Sequence, residues 1–174
     1  QNPIEEEGTY VLPEAQMDRF LIKEVISYPQ PTEEVEILNR ISDGRQSAPL
    51  KSTPLTLQEV SWLQDLVDQV YVDGSVRKYI VDIVNTTRLQ GPVQVPGLEQ
   101  LVRVGASPRG SIALMRVAQA VALLDGRSHA TPDDVRVLAY SVLRHRIVRT
   151  FDALADNVAP EAIIDAVFAA VPVP

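Results

Sequence analysis

The 174-residue sequence predicts a mainly helical fold, a helical bundle preceded by a short α/β piece made of a loop, a helical turn and a strand. Three observations predict it. Three segments open with a proline at the first helical position, where its missing amide is harmless: Ser107-Pro108, Thr131-Pro132 and Ala159-Pro160. Thr56-Leu57-Gln58-Glu59 is a capping box, followed by Val60, Leu63, Val67 and Val70 on one helical face. An apolar run near the start, Phe20-Leu21-Ile22 with Val25-Ile26, ends at Tyr28-Pro29 and reads as a strand. One strand is not stable alone. Residues 1–30 are therefore expected to be the edge of a larger sheet domain, and residues 31–174 the helical domain.

Along the chain, Asn2-Pro3 is a turn signal, Glu5 to Gly8 a polar connection, and Pro13-Glu14-Ala15 can open a helical turn running to about Phe20. Thr32 is the expected cap of the next helix, with Glu33 and Glu34 in its first turn, a Val35, Leu38 and Ile41 stripe, and Gly44 at its end. Asp43 to Thr56, with Pro49 and Pro54, is a linker. A helix from about Ser75 to Arg88 uses Val76, Ile80, Ile83, Val84 and Thr87, then stops before Gly91-Pro92. The loop to Gly105 holds a short extended piece at Leu101 to Val104. The helix from Pro108 to about Leu124 is small and apolar almost all round, which makes it the expected centre of the bundle. Of the next two, one presents Val135, Leu138, Ala139 and Val142, the other Ile163, Ile164, Val167, Phe168 and Val171.

Composition removes whole classes of chemistry. With no Cys there are no disulfides, thiolate nucleophiles or cysteine-held zinc. His129 and His145 lie in different segments without a second His at ligand spacing, so no metal site is expected. A net charge of −7 argues against nucleic-acid binding through a basic surface, and disfavours a helix-turn-helix reading. The run Ile112 to Leu124 is broken by Arg116 and Gln119 and falls short of the roughly 20 apolar residues of a membrane span, so no membrane insertion is expected and a cytoplasmic protein is the default. The charge is uneven. Residues 1–100 hold 16 acids and 8 bases, residues 101–149 hold 3 acids and 8 bases, and residues 150–174 hold 4 acids and no base. A segment of net +5 inside an acidic chain suggests a confined anion site.

Ser107-Pro108-Arg109-Gly110 is the sharpest local feature. Ser107 caps, Pro108 takes the first helical position, and Arg109 falls second, where a cation opposes the helix dipole. The placement makes sense if a phosphate-like anion is held there by free amides and the guanidinium, with Gly110 allowing close approach. The alternative is an exposed Arg paired with a carboxylate. Arg19 lies at the junction of a helical turn and a strand and, by itself, is a solvated charge paired with Asp18 or Glu14. Asn2 by itself is a turn residue, Glu5 to Glu7 a solvated acidic loop, and His129 a loop residue. Arg144-His145-Arg146 reads as cations complementing the C-terminus of the helix opened by Thr131. Trp62 and Tyr79 read as packing groups.

Several strings together resemble one family. They are Gln1-Asn2-Pro3-Ile4-Glu5, Gly8-Thr9-Tyr10, Leu12-Pro13-Glu14-Ala15-Gln16-Met17-Asp18-Arg19-Phe20, Gly105-Ala106-Ser107-Pro108-Arg109, Leu124-Asp125-Gly126-Arg127, Thr131-Pro132-Asp133-Asp134-Val135 and Val142-Leu143-Arg144-His145-Arg146. Their order and spacing resemble the MoxR-type AAA+ ATPases. The resemblance implies the end of an AAA+ core in residues 1–30 and the helical lid in 31–174. It implies that Asn2 is the sensor 1 residue, Arg19 the arginine finger acting on ATP in a neighbouring subunit, and Arg109 the sensor 2 residue, with Ser107 and Pro108 shaping the phosphate end of its helix. It also implies ATP and Mg2+ in the full-length protein, a hexameric ring, chaperone-like remodelling or metal-cofactor insertion, and a partner with a von Willebrand factor A domain.

Departures are Val11, where the family often has Pro, and Met17, where Leu is common. The chain contains no Gly-x-x-x-x-Gly-Lys-[Ser/Thr] loop and no strand ending in Asp-Glu, so it is expected to be a C-terminal portion without ATPase activity of its own. A non-enzymatic helical interaction module is the alternative.

Overall fold

The computed structural model describes residues 12–44 and 54–174, which fall into two compact units, residues 24–64 and residues 12–23 with 65–174. The fold is mainly helical, as its caps and periodicity predict.

In the smaller unit, α2 (Pro31–Ser42) follows α1 (Glu14–Met17) of the larger one. Its cap is Gln30 rather than the expected Thr32, because Pro31 supplies a preset φ at the first helical position and the Gln30 amide donates to Glu33 Oε2 at 2.7 Å. The Val35, Leu38 and Ile41 stripe is present but exposed, and no residue of α2 is buried. Most of the expected 43–56 linker lies outside the described residues. The capping box that opens α3 (Leu57–Gln69) forms as predicted: the Thr56 amide donates to Glu59 Oε2 at 2.7 Å, and the Glu59 amide to Thr56 Oγ1 at 3.2 Å. These bonds to the charged form hold the Glu59 carboxyl below its ordinary pKa. Trp62, expected to pack, is exposed on this helix.

The larger unit is built on α6 (Pro108–Leu124), the central helix the sequence points to. Against it pack β1 (Tyr71–Val72), α4 (Gly74–Thr87), β3 (His129–Ala130), α7 (Pro132–Val137) and α8 (Ala139–Leu143). Helix α10 (Pro160–Ala170) closes the bundle on α4 and α8. Its predicted face, Ile163, Ile164, Val167, Phe168 and then Val171, is fully in the core. Tyr79 packs edge-on against Phe168, with ring centroids 6.4 Å apart.

Short elements finish the unit: β2 (Val102–Val104), at the extended piece expected at Leu101 to Val104, and α5 (Leu98–Leu101), β4 (Val148–Arg149) and α9 (Phe151–Ala155), which the periodicity does not reveal. β1 pairs with β3 in parallel, Tyr71 opposite His129, so His129 is a strand residue and not the expected loop residue. β2 pairs with β4 antiparallel. Such two- and three-residue ladders are decided by what lies opposite, which no local pattern encodes.

Two further expectations are corrected. The helix opened by Thr131 does not run on to Arg144; it breaks at Leu138 (φ −116°, ψ 23°) into α7 and α8. The break lets both pieces bury their apolar residues, Val135 in α7 and Ala139, Val142 and Leu143 in α8. The run from Phe20 to Ile26 forms no strand. Among the described residues it finds no sheet edge to pair with, and the carbonyls of Phe20 and Leu21 accept from Arg146 instead, while the Lys23 amide donates to Ser141 O at 2.8 Å.

The exit from β2 crosses the end of α4 so closely that a Cβ on Gly105 would lie 2.3 Å from Thr87 O and 2.6 Å from Arg88 N, both backbone atoms. The crossing is pinned on both sides: the Ala106 amide donates to Thr87 Oγ1 at 3.0 Å, and Arg88 Nε to Ala106 O at 2.6 Å. Gly105→Ala is expected to destabilise the chain by about 3 kcal/mol, the upper range for overpacking against rigid neighbours. Chemical denaturation checks this, and a loss below about 0.5 kcal/mol would mean that the crossing relaxes freely.

Candidate functional site

The N-terminus of α6 forms as its sequence demands. Ser107 is in the extended region (φ −71°, ψ 172°) and its Oγ accepts from the Arg109 amide at 3.1 Å, with Pro108 in the first helical position. Arg109 therefore carries its positive charge into the positive end of the helix. The charge that answers it is Asp18. Its Oδ2 accepts from Ser107 Oγ at 2.7 Å and lies 3.5 Å from Arg109 Nη1. Arg109 thus has a carboxylate beside it. At 3.5 Å, with a half-exposed guanidinium, it is a loose pair worth about 0–1 kcal/mol.

The other Asp18 oxygen faces a different arginine. Arg146, whose side chain is 2% exposed, places Nε 3.2 Å from Asp18 Oδ1, an ion contact without the angle of a hydrogen bond. Its Nη2 donates to Phe20 O at 2.5 Å and to Asp18 O at 3.2 Å, and its Nη1 to Leu21 O at 3.2 Å and to Val142 O. Burial pushes the Arg146 pKa down from its ordinary value, and Asp18 opposes that. Gly110 proves to be a packing glycine: a Cβ there would lie 3.2 Å from Ala106 Cβ and 3.5 Å from Arg146 Cδ. The close approach it permits is by Ala106 and the Arg146 stem.

His145 is also buried, with Nε2 2.8 Å from Arg146 Nη1 and 3.2 Å from Phe20 O. Desolvation, then the Arg146 charge, lower its pKa below 6.5, which favours the neutral ring at pH 7. The expectation that Arg144-His145-Arg146 are cations complementing a helix C-terminus is therefore corrected for His145, which is buried with a lowered pKa, and for Arg146, whose donors go mainly to residues 18–21. Arg146 follows Val142 by four residues on an apolar helical face, the one signal in the sequence that it points inward.

Arg19 is exposed. Neither carboxylate expected to pair with it does so: Asp18 serves Ser107, Arg109 and Arg146, and Glu14 pairs with Arg103 at 3.1 Å. Among the described residues its guanidinium has no hydrogen-bond or ion-pair partner. Asn2 and Glu5 to Glu7 lie outside the described residues. Among those described, no group of three or more His, Asp or Glu is arranged to hold a metal, and no helix is long and apolar enough to cross a membrane.

A helical bundle whose central helix opens on Ser-Pro-Arg and meets an Asp-Arg turn is the lid type of AAA+ proteins. Residues 98–167 match the AAA lid domain family, and residues 1–22 match the ATPase family associated with various cellular activities. Chaperone MoxR1 of Mycobacterium tuberculosis is 40% identical over 174 residues, covering 100% of this chain and 45% of its own. The uncharacterized protein YeaC of Bacillus subtilis is 42% identical over 176 residues, with 51% of its length covered. Protein MoxR of Paracoccus denitrificans is 30% identical over 185 residues, with 54% covered. A crystal structure from Cytophaga hutchinsonii, described as a candidate ATPase, superposes with a TM-score of 0.87 at 33% identity over 100% of this chain and 52% of that one. The chain belongs to the MoxR-type AAA+ ATPases. It spans about half the length of the curated relatives it matches.

The buried neutral His145 makes stability depend on pH. Its folded pKa is lowered, so the unfolded chain takes the proton first; stability is full above 6.5 and declines as pH falls through that value. The urea midpoint of the wild type should fall between about pH 7 and pH 5, and that of His145→Gln should fall less. Equal slopes in the two would remove His145 as the cause.

Proposed function

We propose that the chain is the lid and arginine-finger portion of a MoxR-like AAA+ ATPase that couples ATP hydrolysis in a hexameric ring to chaperone-like remodelling of client proteins or metal-cofactor insertion into them. Residues 1–30 are the end of the AAA+ core and 31–174 the lid. The observation that carries the reading is a pair of half-exposed or exposed guanidiniums: Arg109, loosely held by Asp18 at the α6 N-terminus, and Arg19, next to Asp18 in the chain and without a partner among the described residues. A hydroxyl, a helix N-terminus and a guanidinium are donors that fit a phosphate.

In this reading ATP is the substrate. Arg19 reaches the nucleotide of the neighbouring subunit and stabilises negative charge on the transferring phosphoryl oxygens, and Asn2 orients the attacking water as sensor 1. Arg109, as sensor 2, exchanges its loose contact with Asp18 for a phosphate oxygen, so that lid position depends on the nucleotide. No group of described residues fits Mg2+, and no step here is routed through it. The ring works in the cytoplasm, with a von Willebrand factor A domain partner, and needs neither nucleic acid nor membrane insertion. The chain alone, without a phosphate loop, does not turn over ATP. A second reading, a non-enzymatic interaction module, is favoured by one feature, the exposed Val35, Leu38 and Ile41 stripe of α2.

In the full-length protein, Arg19→Ala should reduce ATP turnover by about 10³-fold while nucleotide affinity stays close to wild type. Mixing these subunits with subunits mutated in their phosphate loop should restore part of the turnover, because the finger acts across the boundary. Arg109→Ala should reduce turnover or lid closure. Wild-type kinetics in both variants would overturn the ATPase roles and leave the interaction module.

A further inference from the structure

We infer that Arg146 is a positioning residue for Arg19, holding the backbone of residues 18–21 on the lid so that the Arg19 guanidinium projects free; the inference rests on the reading of Arg19 as the finger. A guanidinium has five N–H donors and, when buried, must place them. Arg146 places most of them on the residues flanking Arg19: the carbonyls of Asp18, Phe20 and Leu21, with Nε against the Asp18 carboxylate. Within its own helical region it meets Val142 O and His145 Nε2. A cation that merely complemented a helix end would need no contact 125 or more residues away.

The geometry follows from peptide planarity. The plane between Asp18 and Arg19 is held at its carbonyl by Arg146 and at its amide by Gln16 O, 3.2 Å from the Arg19 nitrogen. The plane between Arg19 and Phe20 is held at its amide, which donates to Met17 O at 3.1 Å. The next plane is held again by Arg146, through Phe20 O. With both planes at its Cα set, the direction of the Arg19 Cα–Cβ bond is set as well. The Asp18 carboxylate meanwhile lies between Arg146 and the loosely held Arg109, while its backbone carbonyl, held by Arg146, belongs to the peptide plane that leads into Arg19. Movement of the lid then carries the finger with it.

The test separates this anchor from the finger role. Trypsin cuts after Arg19 only when the segment opens. In the 174-residue chain, Arg146→Met should speed that cleavage on the order of tenfold while far-UV circular dichroism stays helical. In the full-length protein the same variant should lower kcat by roughly tenfold to a hundredfold, with KM for ATP little changed, as expected for a misplaced catalytic group. In an Arg19→Ala background the kcat effect should vanish, because Arg146 acts through Arg19. Arg146→Lys, which keeps the charge but lacks the forked donors, should give intermediate cleavage and kcat, and it carries the test if the Met variant does not fold. Unchanged cleavage would overturn the anchor. A kcat loss of full size in the Arg19→Ala background would overturn the action through Arg19. Wild-type turnover by Arg19→Ala alone would fail the finger reading, while the cleavage rates still decide the anchor.

Discussion

A buried guanidinium cannot be left without acceptors, and much of the larger unit is arranged around that requirement at Arg146. Its acceptors come from α8 and from a turn 125 or more residues earlier in the chain, which ties the first described segment to the bundle. Gly110 in α6 lacks the Cβ that would crowd the arginine stem, and the break at Leu138 ends α7 so that α8 can bring Val142 and Arg146 to the same side. Removing one partner of such a buried pair leaves an uncompensated charge, which costs about 3–5 kcal/mol. The contact therefore acts as a condition on the native arrangement more than as a source of stability.

The positive segment between residues 101 and 149 takes on a sharper meaning. Much of its charge is answered within the fold. Arg127 donates from both Nη atoms to Asp134, at 2.7 and 2.6 Å, which holds that carboxyl down to about pKa 2; Arg144 lies 3.1 Å from Glu161; and Arg103 pairs with Glu14. The excess is thus not an open basic surface. A small region around Asp18 remains open to an external anion: Arg109 is held loosely there, and Arg19, outside the basic segment in sequence, follows Asp18 in the chain.

At Arg109 the local sequence suits either an anion or a carboxylate, and the fold contains the carboxylate. The two are compatible in kind. Asp18 occupies the position that the helix N-terminus and Ser107 prepare for negative charge, and a loose carboxylate pair is one that a better-placed anion can displace. Arg19 differs from its expected state in the opposite sense: its two nearest acids were engaged elsewhere, which left it exposed and unpaired among the described residues.

By itself the sequence determined the helices with strong local signals. The Thr56 box, the capped starts at Ser107 and Thr131, the apolar face of α10 and the central place of α6 all follow from caps and periodicity within a few residues. Tertiary structure alone decided which carboxylate answers which arginine, that Phe20 and Leu21 give their carbonyls to Arg146 instead of a strand, and that His145 is buried and neutral. The physical reason is distance along the chain. A cap is satisfied by atoms three residues away, whereas Ser107 meets Asp18 across 89 residues and Arg146 meets it across 128, and only the folded core brings such groups within reach of one another.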